Sequence, residues 1–377
     1  MKIVFLSRVV FLGGVTTHLI DLSEEFIKQG HEVYLMSYGP RYKNSPENVA
    51  LFNKLLDTGI KFIEIDFPIE KRSKIYYGLS LLKSLIKCHS IFKKYKFDII
   101  HVHTPILSFI PKILGYKFVR TRHIVDNGYS FFDTKANLEI AVSREVKNDL
   151  IFKYNYSDEQ VCVINNGVSK DEYYLNLSDH EYSLKSKLNY NLLDNELVIG
   201  LIGTFEYRKG HDILLKALAK LNRKKLTSLK VFFVGSSDEG NIKRLKDIIQ
   251  ELGLNNIVKI LPFQPLRSIY SIIDIMVLPS RNEGFLLVAI EAMMMGCCVI
   301  RSDTPGASEQ IKHGISGFIF ENENVDQLAE YLEYLIQNPS EIQSMSKAGQ
   351  KNALEKFTSE IMAKKTLDVY THLLETR

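Results

Sequence analysis

The stretch Ser280-Arg-Asn-Glu-Gly-Phe-Leu-Leu-Val-Ala-Ile-Glu291 carries two carboxylates eight positions apart, one in a polar turn and one inside an apolar run of helical character. It follows Ile272 to Pro279, a short apolar run that reads as a buried strand. A strand that hands over to a helix in this way is the unit of an open parallel α/β sheet, and such sheets bind ligands at the carboxyl ends of their strands. Asn282 and Gly284 mark the turn, so helical residues are expected from about Leu286. Glu283 then lies beside the N–H groups of the helix start, which favour a phosphate or sugar oxygen. Glu291 falls about one turn further in, among Val288, Ala289, Ile290 and Ala292. A carboxylate facing inward there is costly to desolvate unless donors such as paired ribose hydroxyls meet it. A plainer reading stays open, with Glu283 as a helix N-terminal acid and Glu291 as a solvated helix residue.

The same alternation extends in both directions. Towards the N-terminus, Lys2 to Leu6, Glu32 to Ser37, Asp98 to Val102, Phe118 to Thr121, Leu138 to Val142 and Val161 to Ile164 read as short strands, with an amphipathic helix at Thr17 to Lys28 stopped by Gly30. Between Asn165 and Glu196 the composition turns polar, which marks a connection between domains. A second series follows: Leu197 to Ile202, Lys230 to Val234, Val258 to Ile260, Ile275 to Leu278 and Cys298 to Ile300. The fold class is therefore α/β, as two Rossmann-like doubly wound parallel-sheet domains in tandem. A chain of 377 residues also exceeds the size at which one hydrophobic core keeps growing. The tail from Val325 is helical in pattern, with Pro339 separating two pieces.

With 45% hydrophobic and 24% charged residues, the composition is that of an ordinary globular protein. No apolar run is long enough to span a bilayer: Leu286 to Ile300 comes nearest, and Glu291 interrupts it. Met1 to Leu12 contains Arg8 and lacks a small-residue cleavage site, so it reads as a buried first strand rather than a signal peptide. Cys88, Cys162, Cys297 and Cys298 have neither Cys-x-x-Cys nor zinc-ligand spacing and read as buried thiols in a reducing cytoplasm. The net charge of +4 conceals an asymmetry, because Lys61 to Val125 holds 13 lysines and arginines against four acids.

Four further constellations bear on chemistry. Gly203-Thr-Phe-Glu-Tyr-Arg-Lys-Gly-His211 sets Arg208 and Lys209 in a strand-to-helix loop with glycines at both ends, which is how a diphosphate would be gripped without a metal; a solvated turn is the alternative reading. Gly13-Gly14 follows the first strand and lets a backbone approach a ligand, or makes a tight turn only; it is not Gly-x-Gly-x-x-Gly. His101-Val-His103 ends a strand and His123 follows the next; without a third ligand nearby, the pair reads as strand-end packing rather than a metal site. Lys74 to Lys96 interleaves Tyr76, Tyr77, Leu79, Leu82, Leu85, Ile86, Ile91 and Phe92 with lysines. Its apolar face reads as packing on the sheet and its charge as attraction to an anionic membrane surface. No nucleic-acid motif accompanies it, so nucleic acid is not an expected partner.

Taken together, these residues resemble the retaining, nucleotide-sugar-dependent glycosyltransferases of family 4, which have the GT-B fold. The resemblance runs through Gly13-Gly-Val-Thr-Thr-His18, Gly30-His-Glu-Val33, Asp98-Ile-Ile-His-Val-His103, Ala141-Val-Ser143, Ile164-Asn-Asn-Gly-Val168, Gly203 to Gly210, and the specific Glu-x7-Glu of Glu283 and Glu291. It implies an acceptor-binding N-terminal domain (residues 1–170), a nucleotide-sugar-binding C-terminal domain (171–355), a final helix (356–377) returning to the first, and catalysis in the cleft between the domains. Arg208 and Lys209 then look like the diphosphate clamp, Glu291 like the ribose binder and Glu283 like a contact to the donor sugar. By the same similarity Gly14 approaches the diphosphate, Gly203 opens the clamp loop, and His123 faces the reacting sugar. Gly284, Phe285, Leu286 and Leu287 offer backbone N–H groups.

Glu283, His123, Lys209 and Arg208 are thus the catalytic candidates, and no metal or cofactor is expected; the chain has no Asp-x-Asp triplet. The donor is expected to be a UDP-sugar, with a GDP-sugar as alternative, and the acceptor a glycan or lipid-linked sugar of bacterial surface polysaccharide synthesis. The place of action is the cytoplasm, extending to the inner face of the cell membrane. Two departures from the family pattern stand out: Leu286 where a glycine is common, and Thr204 where an arginine often follows the first glycine of the loop. A sugar-nucleotide 2-epimerase of the same fold and a noncatalytic glycan or membrane-surface binding protein are the alternatives.

Overall fold

Alternation along Lys2–Leu6 (β1) builds two cores at once. Ile3 and Phe5 pack on one face of a sheet with Leu22, Phe26 and Tyr370, while Val4 and Leu6 pack on the other with Leu81, Cys88 and Phe92. The computed structural model describes residues 1–67, 74–124, 133–175, 187, 189–193, 195–222 and 226–376. Much of the polar connection read at 165–196, residues 68–73 and 125 of the basic region and the side chains of residues 74–77 lie outside the described residues.

Two compact units divide the chain, one of residues 1–167 with 359–377 and one of 168–358. The first holds β1 and six further strands: Glu32–Ser37 (β2), Lys61–Glu64 (β3), Ile99–Val102 (β4), Val119–Arg122 (β5), Leu138–Ala141 (β6) and Val161–Val163 (β7). All pair in parallel, in the order β3-β2-β1-β4-β5-β6-β7. The second holds Leu197–Ile202 (β8), Leu229–Val234 (β9), Val258–Leu261 (β10), Ile275–Leu278 (β11), Cys298–Ser302 (β12) and Gly317–Phe320 (β13). Its order, β10-β9-β8-β11-β12-β13, is again that of a doubly wound Rossmann sheet.

Two strands escape the sequence reading, β3 and β13, and both lie at sheet edges. β3 is mostly exposed or half-buried and lacks a continuous apolar run, and β13 is only four residues long and starts at a glycine. Two helix limits also move. The first helix begins at Gly14 rather than Thr17, because the Gly13 carbonyl accepts from the N–H groups of Thr16 and Thr17. The tail forms the helices Val325–Gln337, Pro339–Lys356 and Ser359–Glu375, so the final helix expected at 356–377 begins at Ser359. Pro339 opens the second, and the next break comes where Val168 takes a strand-like bridge to Thr358 and donates to the Phe357 carbonyl. The last helix belongs to the first unit, where the Tyr370 hydroxyl meets His101 Nδ1 at 2.6 Å.

Candidate functional site

In the second unit the strand order reverses between β8 and β11, and the two loops singled out in the sequence leave the carboxyl ends of those two strands. After β8, Tyr207–Lys209 forms a single helical turn, and Gly210 takes a left-handed conformation (φ +72°) before the helix His211–Lys220. A side chain at Gly210 has no room, since its Cβ would sit 1.9 Å from the Pro279 carbonyl oxygen. The two loops are also tied through their backbones, with the Arg281 N–H donating to the Arg208 carbonyl at 2.8 Å.

This close approach brings the charges together. Arg208 Nη1 and Lys209 Nζ each reach Glu283 Oε1 at 2.7 Å, and Arg208 also donates to the Asn282 carbonyl at 3.2 Å. Glu283 therefore does not cap the helix Leu287–Met294, whose flanking Leu286 makes no side-chain cap and whose first turn carries no acid. That helix start retains the positive end of its dipole beside the paired cations. Its approach is buttressed from β12 and the turn that follows. Ser302 Oγ donates to the Ser280 carbonyl at 2.6 Å, and Gln310 Nε2, itself held by Arg301, donates to the Leu286 carbonyl at 2.8 Å. Phe285 and Leu286 are buried, and Phe285 packs against Phe357 at 5.6 Å between ring centroids.

Arg281 is the residue the sequence reading missed. It forms a two-point ion pair with Asp212 at 2.9 Å per bond, a bond to Glu323 at 2.7 Å and another to the Tyr207 carbonyl at 2.7 Å. Its guanidinium lies 3.7 Å from the centroid of the Tyr207 ring. Burial pushes the Asp212 carboxyl up, but the bonds and charges of Arg281 and Lys216 outweigh it and hold the group below the ordinary carboxylate range. Arg281 thus locks the turn that carries Arg208 and Lys209.

Glu291 is buried, at 4% exposure, which rules out a solvated helix residue. Its Oε2 accepts a 2.5 Å bond from the hydroxyl of Tyr270, a fully buried ring on the short helix Leu266–Tyr270. Burial and then the Glu291 charge drive the Tyr270 hydroxyl well above its ordinary pKa, so it stays a donor.

The remaining candidates belong to the first unit. Gly14 is exposed at the start of its helix. His123 follows β5 and lies 3.3 Å from His103, Nε2 to Nδ1. The sequence reading paired His101 with His103 and saw no third ligand; the fold sets His18 and His123 beside His103 instead. His18, His103 and His123 bring one ring nitrogen each to within 4.8 Å of one another, while His101 is engaged by Tyr370 and Thr121. A sequence separation of 85 residues between His18 and His103 concealed this. Burial lowers the pKa of His18 to about 4 and those of His103 and His123 well below the ordinary value, which keeps the three rings neutral and able to act as ligands or hydrogen-bond partners. Beneath them, Arg120 pairs with Glu139 and Asp133, and Arg122 pairs with Asp133 at 3.0 Å, a buried network of balanced charge. Cys162 is only half-buried, unlike the other three thiols.

Comparison with known proteins agrees with this architecture. The sequence model of "Glycosyltransferase Family 4" matches residues 12–172, and that of "Glycosyl transferases group 1" matches residues 185–352. An uncharacterized glycosyltransferase of Methanocaldococcus jannaschii is 26% identical over 97% of this chain and 95% of its own. The capsular polysaccharide biosynthesis glycosyltransferase CapM of Staphylococcus aureus is 26% identical over 78% and 82%. Among solved structures, a glycosyltransferase from Rickettsia africae superposes with a TM-score of 0.83 at 26% identity, covering both chains completely. Anabaena HepE in complex with UDP and glucose superposes with a TM-score of 0.82 at 21% identity over 99% of this chain and all of its own, which speaks for the fold. The two parallel sheets, the carboxylate pair of the Glu-x7-Glu stretch and these matches place the chain in glycosyltransferase family 4, with the GT-B fold.

Proposed function

We propose that the protein transfers a sugar from a nucleoside diphosphate sugar to a glycan or lipid-linked acceptor, with retention at the anomeric carbon, in the assembly of a bacterial surface polysaccharide. The observation that carries the donor half is the convergence of Arg208 and Lys209 on one oxygen of Glu283 where the strand order of the second unit reverses. A diphosphate entering between these cations takes over bonds that Glu283 already spaces. As the glycosidic bond breaks, negative charge grows on the departing diphosphate, so fixed cations and helix N–H groups stabilise the transition state more than the ground state. Glu291 is assigned to the ribose, Glu283 to the donor sugar, and His123 to the face of the reacting sugar. The UDP complex of HepE favours a UDP-sugar over a GDP-sugar.

The acceptor is assigned to the first unit. Its Lys74–Tyr95 helix carries five lysines and no acid, and it leaves Leu79, Leu82 and Ile86 more than half exposed opposite the buried Leu81, Cys88 and Phe92. The sequence reading had this apolar face entirely packed; instead one stripe is packed and another faces outward beside Lys83 and Lys87. An anionic membrane surface fits that second face, and a membrane-borne acceptor is the reason for the protein to have it.

Titration with UDP and GDP tests the donor assignment: UDP binds, and Lys209→Ala lowers turnover of a UDP-sugar by about ten- to a hundredfold, the worth of a charged hydrogen bond. Wild-type turnover in that variant removes the clamp. Activity persists in a chelator; loss there would mean that a divalent cation takes part in the reaction. Analysis of the product anomer reads retention, and a donor sugar altered without any acceptor would mark an epimerase.

A further inference from the structure

In the first unit, three histidines from distant parts of the chain converge. His103 and His123 each follow directly on a strand, β4 and β5, and because these strands are parallel neighbours the two residues leave the sheet side by side. His103 Nδ1 and His123 Nε2 stand 3.3 Å apart. His18, one turn into the helix Gly14–Lys28, completes the group, its ring centroid 4.9 Å from that of His123 and 5.4 Å from that of His103. The rings are held from behind. The His103 N–H donates to the Leu6 carbonyl at 2.9 Å, and the Phe5 ring meets the His103 ring edge-on at 5.0 Å between centroids. His18 Nδ1 lies 3.0 Å from Asn166 Oδ1, a carbonyl that only accepts, so Nδ1 carries the proton and Nε2 keeps its lone pair. Among the described residues, His18 Nε2 and His103 Nε2 are buried without a hydrogen-bond partner.

Buried imidazole nitrogens without partners are costly in a protein interior, and they are what a transition-metal ion binds. Zn–N bonds of about 2.0–2.1 Å set tetrahedral ligand nitrogens about 3.4 Å apart. The His103–His123 pair already has that spacing. One ring nitrogen of each histidine lies within 4.8 Å of the other two, an excess of at most about 1.4 Å that rotation of the rings closes. Burial keeps the rings neutral, so no proton has to leave before an ion binds. Asn166 holds His18 as the outer partner of a ligating histidine does. His103 and His123 also line a cavity of about 340 Å³, which gives an ion its way in and a solvent oxygen the remaining position. A set of imidazoles alone suits Zn²⁺ and does not suit Mg²⁺ or Ca²⁺, which take oxygen ligands.

We propose that His18, His103 and His123 form a three-histidine site for Zn²⁺, and that its occupancy inhibits transfer by fixing the His123 ring to the metal. A sugar leaving its diphosphate gathers positive charge at the anomeric carbon, so a divalent cation held at the face assigned to that sugar raises the barrier. The inhibition rests on the transfer reaction proposed above and on the place given there to His123; the binding of the ion does not.

The test uses the full chain, freed of metal by a chelator that is then dialysed away. Zn²⁺ is titrated by calorimetry, and Co²⁺, its coloured substitute, by visible absorption. One equivalent binds, the Co²⁺ spectrum is that of a tetrahedral set of nitrogen and oxygen ligands without thiolate charge transfer, and Mg²⁺ does not compete. His18→Gln weakens Zn²⁺ binding by about tenfold or more, and Asn166→Asp, which sets a carboxylate behind His18, tightens it, a gain that a misfolded protein cannot imitate. Turnover of a UDP-sugar falls as Zn²⁺ fills the site and returns when chelator is added; His18→Gln needs about tenfold more Zn²⁺ for the same loss. No Zn²⁺ binding by the wild type, a thiolate band, or unchanged affinity in folded His18→Gln overturns the site. Should His18→Gln fail to fold, Asn166→Asp decides, and an affinity no tighter than that of the wild type overturns it. Zn²⁺ binding that leaves turnover intact, or that inhibits wild type and His18→Gln alike, overturns the inhibition. No turnover of any UDP-sugar by the metal-free protein counts against the transfer reaction instead, and the two titrations still read the site.

Discussion

A single carboxylate inside an apolar helix is the feature that most needs a reason. Glu291 lies among Val288, Ala289, Ile290 and Ala292, and only a strong donor such as the Tyr270 hydroxyl at 2.5 Å makes its burial tolerable. Removing it leaves Tyr270 without this partner and, on the proposed donor role, costs a ribose its charged acceptor. Glu291→Ala is expected to weaken UDP binding by about ten- to a hundredfold and to lower stability by roughly 1–3 kcal/mol. Calorimetric titration of the folded fraction reads the first and a urea midpoint the second; unchanged UDP affinity would take Glu291 out of the site. Glu291→Gln separates the effects, because the amide oxygen still accepts from Tyr270 while the charge is gone. At this scale the legible residues were those whose chemistry sits badly with their neighbours: an acid in an apolar helix, two cations between glycines. Arg281 lies in the same stretch and was not legible, because its meaning depends on Asp212, 69 positions away, and a lone arginine in a turn is ordinary. His18 hid for the same reason, since only the fold brings it beside His103.

Among elements, every central strand could be read, and the two that could not, β3 and β13, are edge strands. β1, β2, β8 and β11 are covered on both faces, so their apolar runs are unbroken, whereas β3 is half solvated and β13 starts at a glycine. The loop after β8 is an element whose shape depends on one position. Gly210→Ala places a Cβ 1.9 Å from the Pro279 carbonyl and adds the cost of a left-handed alanine, roughly 1–2 kcal/mol before the collision is counted. The loop then moves away from β11, breaking the bond from the Arg281 N–H to the Arg208 carbonyl and separating the clamp from Glu283. The expected result is a lower melting temperature together with loss of UDP binding, and wild-type UDP affinity in this variant contradicts the account. The Lys74–Tyr95 helix gives the other prediction at this scale. Each lysine near an anionic surface contributes about 1 kcal/mol, so Lys83→Gln with Lys87→Gln should reduce cosedimentation with anionic vesicles by about thirtyfold. Leu82→Ser with Ile86→Ser should weaken it further without affecting UDP binding. Binding to neutral vesicles as strong as to anionic ones contradicts the electrostatic part.

For the whole molecule, the consequence of folding around neutral histidines is a dependence of stability on pH. His18 has its pKa lowered to about 4 by burial, opposed in part by its bond to Asn166, and burial holds those of His101, His103 and His123 well below the ordinary value. In the unfolded chain each imidazole takes up a proton near pH 6.5, as ordinary histidines do. Between about pH 6.5 and about pH 4 the unfolded state therefore binds more protons than the folded one, and stability falls as the pH drops through that window. His18 alone accounts for roughly 3 kcal/mol across it, a large part of the 5–15 kcal/mol typical of a folded domain. In the second unit His211, its pKa lowered to about 3 chiefly by burial, works in the same direction, whereas Asp212, held below the ordinary carboxylate range, loses its contribution only at lower pH, as its carboxyl protonates. Because the two units need not unfold together, the measurement has to be local: hydrogen exchange of β1 amides, followed from neutral pH downward and corrected for intrinsic rates, reads the first unit by itself. Protection should decline steadily below about pH 6.5, and His18→Gln, which removes one titrating ring, should flatten the decline by about one histidine's share while lowering the starting stability. Protection that holds constant down to about pH 5 would mean that these rings take up protons in the folded state as readily as in the unfolded one.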